Sequence, residues 1–354
     1  MSNIGTKSKT AAEYWREVTR PFCGADDRKS YLQLATAATL FLLSWTSMYL
    51  SLVYVGYWLT LIMAIPTAAF VVFLFMIQHD CGHGSYFKSR WMRDTVGYFI
   101  GVLTLTPYEY WRRTHAYHHA HSGDLDFRGV GDIKTMTKAE YLSRPLWRRV
   151  VYRVYRNPLT LLALGPIYQF VIKHRYPWDI PADWKQAWRG VWMTNLGLAV
   201  VLLAMAYSPI GLWNFFLIQG PVTVLACSAG VFLFYVQHQY EDSYWHRHKD
   251  WDYYEAAIRG SSHLVLPKPL QWLTANIGIH HVHHLNSQIP NYKLEECMMA
   301  APELQTATRI TLRDCFRLFN LTLFDEEKQR MISFRELRRD LTSTPNPHQD
   351  QMAA

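Results

Sequence analysis

The positions of the charged side chains show which segments of this chain are apolar more clearly than its mean hydropathy does. Two runs of 48 residues, 31–78 and 190–237, contain no Asp, Glu, Lys, Arg or His. A helix needs about 20 residues to cross a hydrocarbon core of about 30 Å, so each run has room for two helices and a turn. Turn residues interrupt both runs, Gly56 in the first and Pro209 and Gly211 in the second. The pattern predicts four membrane spans in two hairpins, at about residues 31–52, 57–78, 190–207 and 212–237.

The flanking charges orient these hairpins. Lys and Arg residues precede and follow both uncharged runs, whereas neither turn contains one. By the positive-inside rule, both termini and the segment between the hairpins are expected on the cytoplasmic side of a bacterial inner membrane. Two hairpins buried in a soluble protein are the alternative, but they would need far more surrounding protein than the rest of the chain supplies.

The remaining segments are predicted to lie around the membrane spans. Stretches 96–107 and 159–172 are apolar but too short to span, so they are expected as interfacial helices. Residues 1–30 are predicted to form a cytoplasmic N-terminal segment, residues 31–324 the membrane domain and residues 325–354 a polar cytoplasmic tail. The predicted fold class is an all-α integral membrane protein with a cytoplasmic helical cap.

Composition excludes several other classes of protein. The chain of 354 residues is 50% hydrophobic and 18% charged, which argues against disorder. Its net charge of +8 comes from basic residues beside apolar runs and not from a basic stripe with aromatic residues, so nucleic-acid binding is not expected. Five cysteines without C-x-x-C spacing indicate a reducing compartment, with neither a disulfide framework nor a thiolate metal site.

Eight of the 16 histidines fall into three short clusters. In a helix, positions i, i+3 and i+4 share a face, so each cluster can direct two or three imidazoles to one side. Eight imidazoles exceed the needs of one tetrahedral ion, which favours two metal ions held in the helical cap. The absence of H-E-x-x-H argues against zinc hydrolysis, whereas imidazole also suits iron and copper. The clusters are His79 and His83; His115, His118 and His119; and His280, His283 and His284.

The position of the first cluster indicates the chemistry. His79 directly follows the return span of the first hairpin, which places the metals at the cytoplasmic end of the spans. An apolar chain can reach that level from the lipid, while oxygen and electrons arrive from water. Alkyl C–H bonds carry no acidic proton, so an oxidising metal centre is required to attack them. The residues alone therefore indicate a membrane-bound metal oxidase or oxygenase that acts on a lipid.

The clusters and their surroundings also resemble a known family, the integral-membrane fatty acid desaturases, in its bacterial acyl-lipid branch related to omega-6 enzymes. The resemblance implies two non-haem iron ions held by the eight clustered histidines. It further implies an enzyme that uses O2 and two electrons from an external donor to place a cis double bond in a membrane acyl lipid. It also implies a separate donor, and a basic cytoplasmic face suits acidic ferredoxin better than cytochrome b5. The matching stretches are HDCGHGS (79–85), SGDLDFRGVGDI (122–133), YRNP (155–158), VQHQYEDSYW (236–245) and NIGIHHVHHLNSQIPNY (276–292).

Two residues outside the clusters join the candidate site. His238 follows the second uncharged run as His79 follows the first, and its VQHQ context resembles the segment that supplies a further metal ligand in the family. Asn276 stands four residues before His280 and is expected on the same helical face, where it would orient a ligand. His281 is expected to point away from that face.

Other polar residues near the clusters have two interpretations. Acidic side chains there would either orient imidazoles or form ordinary ion pairs. Histidines in polar segments are expected at the surface, and His263 is not counted as a ligand. The acidic candidates are Asp80, Glu109, Asp124, Asp126, Asp132, Glu241 and Asp242. The expected surface histidines are His121, His174, His246, His248 and His348.

Three other functions are alternatives to desaturation. A di-iron lipid or carotenoid hydroxylase or ketolase uses the same type of centre, and only product analysis separates it from a desaturase. A haem-binding membrane cytochrome or a metal transporter needs polar ligands within the spans. The two uncharged runs contain no histidine, which disfavours both of these.

Overall fold

The structure, a computed structural model, describes residues 10–343. The α-helices are α1 (Ala11–Thr19), α2 (Asp27–Tyr54), α3 (Tyr57–His83), α4 (Arg90–Leu103), α5 (Tyr108–His121), α6 (Lys138–Ser143), α7 (Leu146–Tyr155), α8 (Gly165–Ile167), α9 (Lys185–Tyr207), α10 (Gly211–His238), α11 (Tyr253–Arg259), α12 (Lys268–Leu273), α13 (His280–Leu285), α14 (Leu294–Ala300), α15 (Leu312–Leu318) and α16 (Phe334–Ser343). The strands are β1 (Met136–Thr137), β2 (His263–Val265), β3 (Arg309–Thr311), β4 (Leu321–Asp325) and β5 (Arg330–Ser333). Two π-helical turns flank α8, at Thr160–Leu164 and Tyr168–Ile172.

Within residues 10–343, four helices are long and apolar enough to cross a membrane, namely α2, α3, α9 and α10. Each predicted span lies within one of them, and the all-α membrane fold is confirmed. Gly56, at φ 146°, separates α2 from α3, and Gly211, at φ 74°, begins α10; both are backbone conformations that favour glycine. Helices α3 and α10 continue past the predicted ends of their spans to His83 and His238.

Helix α3 is the centre of the bundle. It packs against α2, α4, α5 and α10, and its inward side chains, such as Phe73 and Ile77, are fully buried. The outer helices α2 and α9 expose large apolar side chains, including Leu43 and Leu203. An apolar exterior of this extent is stable in lipid and not in water, so the protein is a membrane protein.

The two short apolar stretches fold against the bundle. The first forms most of α4, which ends before Thr104. The second forms α8 with its two π-helical turns, an arrangement that interrupts regular helix geometry. Phe99 and Leu164 on these segments are largely exposed and apolar, which suits contact with lipid. Their location in the membrane interface stays a prediction.

The N-terminal segment packs against helices α11, α13 and α14. Helices α11, α13 and α14 pack together around Ile279, Val282 and Leu294, which are buried. Trp15 and Val18 of α1 pack against this cluster. The first nine residues of the predicted N-terminal segment lie outside the described part of the chain.

The C-terminal segment differs from the prediction. Strand β4 pairs with β5 in antiparallel and with β1 in parallel register, and Met331, Ile332 and Leu337 are buried. The prediction of a solvated tail is therefore wrong for residues 325–343. Charged residues are frequent here, but apolar residues among them, such as Met331 and Ile332, are buried. The charged side chains of Lys328, Arg330, Glu336 and Asp340 form ion pairs with one another. Residues 344–354 lie outside the described part of the chain.

Replacing Ile332 by alanine tests the packing of this C-terminal hairpin. The side chain is fully buried in a cluster with Tyr141, Leu323 and Leu337. We expect the free energy of unfolding to fall by about 2–5 kcal/mol, because the substitution leaves a cavity. The measurement is the thermal unfolding midpoint of the purified protein in detergent. Arg338→Ala, on the exposed side of α16, is the matched control and should leave the midpoint in place; equal midpoints for the two variants would contradict the buried hairpin.

Candidate metal centre

Four helices bring nine histidines together at one end of the bundle. Helix α3 contributes two at its C-terminal end, α5 three on one face, α10 its last residue and α13 three. All are buried except His83, which is partly exposed. The structure thus places every predicted ligand in one cluster: His79, His83, His115, His118, His119, His238, His280, His283 and His284.

The nine side chains form two adjacent groups. Within each group, one nitrogen of every ring lies within 4.8 Å of the others. The Nε2 atom of His280 lies 2.9 Å from that of His238, so His280 stands beside the second group. The first histidine group is His79, His83, His115, His119 and His283, and the second histidine group is His118, His238 and His284.

The hydrogen bonds at Nδ1 fix which nitrogen of several rings is free. His118 Nδ1 donates to the carboxylate of Asp132, and His238 Nδ1 donates 3.1 Å to the carbonyl oxygen of Gly260. Carboxylates and carbonyls only accept, so the proton of each neutral ring lies on Nδ1 and Nε2 carries a lone pair. These two Nε2 atoms nevertheless face each other at 3.2 Å.

Two lone pairs at that distance repel each other unless a cation lies between them. Two nitrogen ligands bound at about 2.1 Å and at right angles to each other lie about 3 Å apart, which matches the observed separation. His79 is oriented in the same way as His118, because its Nδ1 lies 3.0 Å from Asp80 Oδ1, and its Nε2 lies 3.1 Å from Nε2 of His115. The Nε2 atoms of His83 and His284 are buried without a partner among the described residues. The donor set therefore fits bound metal.

Burial keeps at least four of the nine rings in the form that binds metal. The pKa values of His115, His119, His283 and His284 lie well below the usual range, first because burial disfavours the charged ring and second because neighbouring imidazoles repel a proton. A neutral imidazole has a lone pair for a metal ion, whereas a protonated one has none.

Two glutamines join the helix ends to the turns before the histidine helices. Gln78 precedes His79, and its side-chain amide donates to the carbonyl of Thr106, just before α5. Gln237 precedes His238, and its amide donates to the carbonyl of Ile277, just before α13. The repeated Gln-His pair therefore sets the position of two ligand helices.

Close backbone approach brings the loop after α5 to His118. Gly131 has φ 77°, and a Cβ atom there would lie 2.6 Å from the carbonyl oxygen of Thr114. Only glycine permits this approach, which places the next residue, Asp132, against the His118 ring.

The acidic candidates separate into two sets. Asp80 and Asp132 contact the imidazoles of candidate ligands, which agrees with the interpretation that acidic residues orient these rings. Asp80 also accepts hydrogen bonds from the backbone and side chain of Asn291 at 2.7 and 2.8 Å. Most of the others pair elsewhere: Glu109 with Arg112, Asp124 with His248, Asp126 with Arg247 and Glu241 with Arg330.

The prediction for Asn276 is wrong in its geometry. Asn276 has φ 56° and lies in a turn before α13, so it does not share a helical face with His280. Its side-chain amide instead donates 3.1 Å to the carbonyl of Asn291, and Asn291 holds Asp80. Asn276 is therefore linked to the ligand His79 only through Asn291 and Asp80.

The remaining histidines lie outside both groups. His281 points away from its neighbours, as expected, and its Nε2 donates 2.7 Å to the carbonyl of Leu304. His174 is a correction: it is buried, because its ring folds back to donate from Nδ1 to the carbonyl of Leu105, and burial lowers its pKa to about 3. His248 is exposed, and His121 and His246 are partly exposed. His348 lies outside the described residues.

Sequence reasoning missed Gln78, Gln237 and the Gly260 carbonyl as supports of the site. The repeated Gln-His dipeptide was a usable signal for the glutamines. A backbone carbonyl leaves no signal of its own in the sequence, because every residue has one.

An apolar cavity of about 830 Å³ leads from the histidines into the bundle. His79, His115 and His280 are among the residues that line it. Its walls are largely aliphatic and aromatic side chains from α3, α10 and the segment around α8, including Phe75 and Leu161. The volume lies within the range of about 300–1,000 Å³ that is typical of small-molecule sites. The cavity can therefore hold an apolar chain beside the histidine groups.

The sequence is similar to proteins of one known family. Residues 56–312 match the fatty acid desaturase family, and the chain belongs to that family of membrane oxidoreductases. It is 41% identical over 341 residues to a fatty acid desaturase of Bacillus subtilis, over 95% of this chain and 96% of the other. It is 28% identical over 254 residues to the sn-1 oleoyl-lipid 12-desaturase of Synechocystis sp., over 70% and 69% of the two chains. It is 27% identical over 230 residues to the sn-1 acyl-lipid omega-3 desaturase (ferredoxin) of Nostoc sp., over 62% and 61%. The predicted desaturase function is confirmed.

Replacing His238 by alanine tests its assignment to the second histidine group. Its Nε2 lies between those of His118 and His280, so its loss should lower metal content and activity as severely as His283→Ala does. The amount of metal bound per purified chain is measured by inductively coupled plasma mass spectrometry, and circular dichroism checks that the variant is folded. His263→Ala is the control and should keep both metal and activity. A fully metallated His238→Ala protein would reduce the residue to a structural role.

Proposed function

We propose that the protein uses two non-haem iron ions and O2 to introduce a cis double bond into the acyl chain of a membrane lipid. The observation that carries this proposal is the pair of adjacent histidine groups beside an apolar cavity that His79 and His115 help to line. The cavity suits an extended alkyl chain, and the imidazole donors suit metals that react with oxygen. Relatives that act on oleoyl or acyl lipids support a lipid substrate.

The overall reaction fixes what must be supplied from outside. Two hydrogen atoms leave adjacent carbons of the acyl chain, and O2 is reduced to two molecules of water. Reduction of O2 to two water molecules takes four electrons. The acyl chain provides two of them, so a donor provides the other two, with two protons from solvent. Iron held by the histidines would supply the oxidising power that an unactivated C–H bond requires.

The residues of this chain position the substrate and keep water out. Apolar walls, such as Val71, Phe75 and Leu161, enclose the alkyl chain without offering it hydrogen bonds. Asp80 and Asp132 hold the Nδ1 protons of their histidines, so that the Nε2 lone pairs face inward. Such outer contacts orient metal ligands and raise their basicity.

Iron is favoured over zinc by the number and kind of donors. In the described part of the chain, neither histidine group contains a cysteine. Catalytic zinc uses three protein ligands and a water molecule, whereas nine imidazoles are enough for two ions of higher coordination number. The desaturase family of the chain supports iron over copper.

The electron donor is proposed to be a separate ferredoxin. The name of the Nostoc relative specifies ferredoxin, which supports this choice. Arg and Lys residues flank the spans at the ends that carry the histidines, and an acidic protein would be attracted to them. The same charges favour an orientation with the termini and the histidine groups on the cytoplasmic side of a bacterial inner membrane.

Product analysis tests the proposed reaction. The chain is expressed in a host that lacks polyunsaturated lipids, and the lipids are examined by mass spectrometry with double-bond localisation. We expect acyl chains lighter by two hydrogens in cells with the native protein and none in cells with His284→Ala, which inserts normally because the spans are unchanged. Chains that gain an oxygen atom would point to a hydroxylase instead.

A topology reporter tests the orientation. A fluorescent protein that folds only in the cytoplasm is fused after Ala354, and in a second version it is inserted in the turn at Pro209. We expect fluorescence from the first fusion and none from the second, because Lys and Arg flank the spans but not the turns. The reverse pattern would place the histidines on the wrong side for a cytoplasmic donor.

A further inference from the structure

A second cavity, of about 510 Å³, lies outside the histidine site, between the end of α7 and the C-terminal hairpin. Three arginines line it, Arg153 and Arg156 at the end of α7 and Arg335 on α16. None of the described residues that line it is acidic. The amide side chains of Asn157 and Asn320 add neutral hydrogen-bonding groups. We call this cavity the basic pocket; its lining suits an anion.

Arg156 is the most unusual group in the basic pocket. It is 1% exposed, and its hydrogen bonds go to neutral oxygens, among them the carbonyl of Leu321 at 2.8 Å and the side chain of Gln239 at 2.9 Å. No carboxylate pairs with it among the described residues. Arginine stays protonated in proteins, so this buried charge lacks an anionic partner.

Two buried polar groups of the basic pocket also lack partners. The Nε atom of Arg156 makes no hydrogen bond among the described residues, and neither does Oγ1 of Thr322, a residue that is 4% exposed. Leaving buried polar groups unpaired costs free energy, so such groups in a cavity wall indicate a bound partner. A phosphate group, with several acceptor oxygens and negative charge, matches both groups.

Helix α7 places the basic pocket at the membrane surface. Trp147, Val150, Val151 and Val154 form one stripe along α7, and each is more than half exposed. Tyr152 on the other side of the helix is buried. A helix with an exposed apolar stripe and arginines beside it lies in the interface between headgroups and acyl chains. The phosphates of phospholipids lie at that depth.

The basic pocket adjoins the apolar cavity along the chain. Tyr155 and Leu161 line the apolar cavity, whereas Arg156 and Asn157, between them in sequence, line the basic pocket. One short segment therefore separates a site for an alkyl chain from a site for an anion. A lipid substrate with a phosphate group would place its alkyl chain in the first site and its phosphate in the second.

We propose that the basic pocket binds the phosphodiester group of the phospholipid whose acyl chain enters the apolar cavity. This inference rests on the proposed function and narrows its substrate to a phospholipid. Arginine forms paired hydrogen bonds with phosphate oxygens, and partial burial strengthens them. A lipid with an uncharged sugar headgroup lacks this interaction.

Binding measurements test the proposal without turnover. The metal-loaded protein in detergent is titrated with short-chain phosphatidylglycerol, with a galactolipid of the same chain length and with inorganic phosphate, and complexes are counted by native mass spectrometry. Arg335→Gln is the principal variant, because its side chain is exposed and its loss should not disturb folding. Arg338→Gln, on the same helix but outside the basic pocket, is the matched control.

We expect Arg335→Gln to weaken phosphatidylglycerol binding about tenfold and to leave galactolipid binding unchanged, with Arg338→Gln like the native protein. Equal binding of phosphatidylglycerol by the two variants would overturn the proposal. Inorganic phosphate that binds as tightly as phosphatidylglycerol would also overturn it, because the site would then serve free phosphate. Arg335→Glu, which reverses the charge, should weaken the binding of phosphatidylglycerol further.

A kinetic measurement separates this inference from the proposed function. In a desaturation assay, Arg335→Gln should raise KM for the phospholipid about tenfold with kcat unchanged, because the reacting carbons lie beside the histidines and not in the basic pocket. Unchanged KM with normal desaturation would reject the headgroup site alone. Absence of desaturation with intact, arginine-dependent phospholipid binding would reject the proposed reaction and keep the basic pocket.

Discussion

The convergence of imidazole lone pairs is the constraint on which the rest of this structure depends. Neutral rings whose Nε2 lone pairs face each other at 3.2 Å, as those of His118 and His238 do, repel each other, so the protein must hold them together until metal binds. It does so by fixing the opposite nitrogen of key rings, with Asp80, Asp132 and the carbonyl of Gly260 as acceptors. Burial adds to this effect at His115 and His119, because it lowers their pKa values and so disfavours the protonated ring.

The membrane spans and the cap are joined by the same contacts that orient the ligands. Gln78 and Gln237 tie the ends of α3 and α10 to the turns before α5 and α13. Asn291, in the loop after α13, donates to Asp80 on α3 and exchanges hydrogen bonds with Gln33 on α2. A shift of one helix would therefore displace ligands on another. This coupling explains how a bundle with a largely lipid-exposed surface can still hold nine rings in a defined arrangement.

Local patterns made much of the fold and the ligand set predictable. Uncharged runs reveal spans because charge is costly in lipid, and histidines at i, i+3 and i+4 share a face in any helix. The predictions are wrong where contacts between residues distant in sequence determine the backbone conformation or the burial of a side chain. Asn276 lies in a turn with left-handed backbone, and the charged C-terminal segment buries Ile332 in a cluster with Tyr141 and Tyr152, which are distant in sequence. His174 is buried by its bond to Leu105, a residue distant in sequence.

Anomalous X-ray diffraction at the iron absorption edge tests the central claim most directly. Crystals of the purified, iron-loaded protein would show where iron binds without reference to activity. The account predicts two iron peaks for each chain, one within the first histidine group and one within the second, with His238 and His280 beside the second peak. A single peak, or peaks away from the two histidine groups, would contradict it.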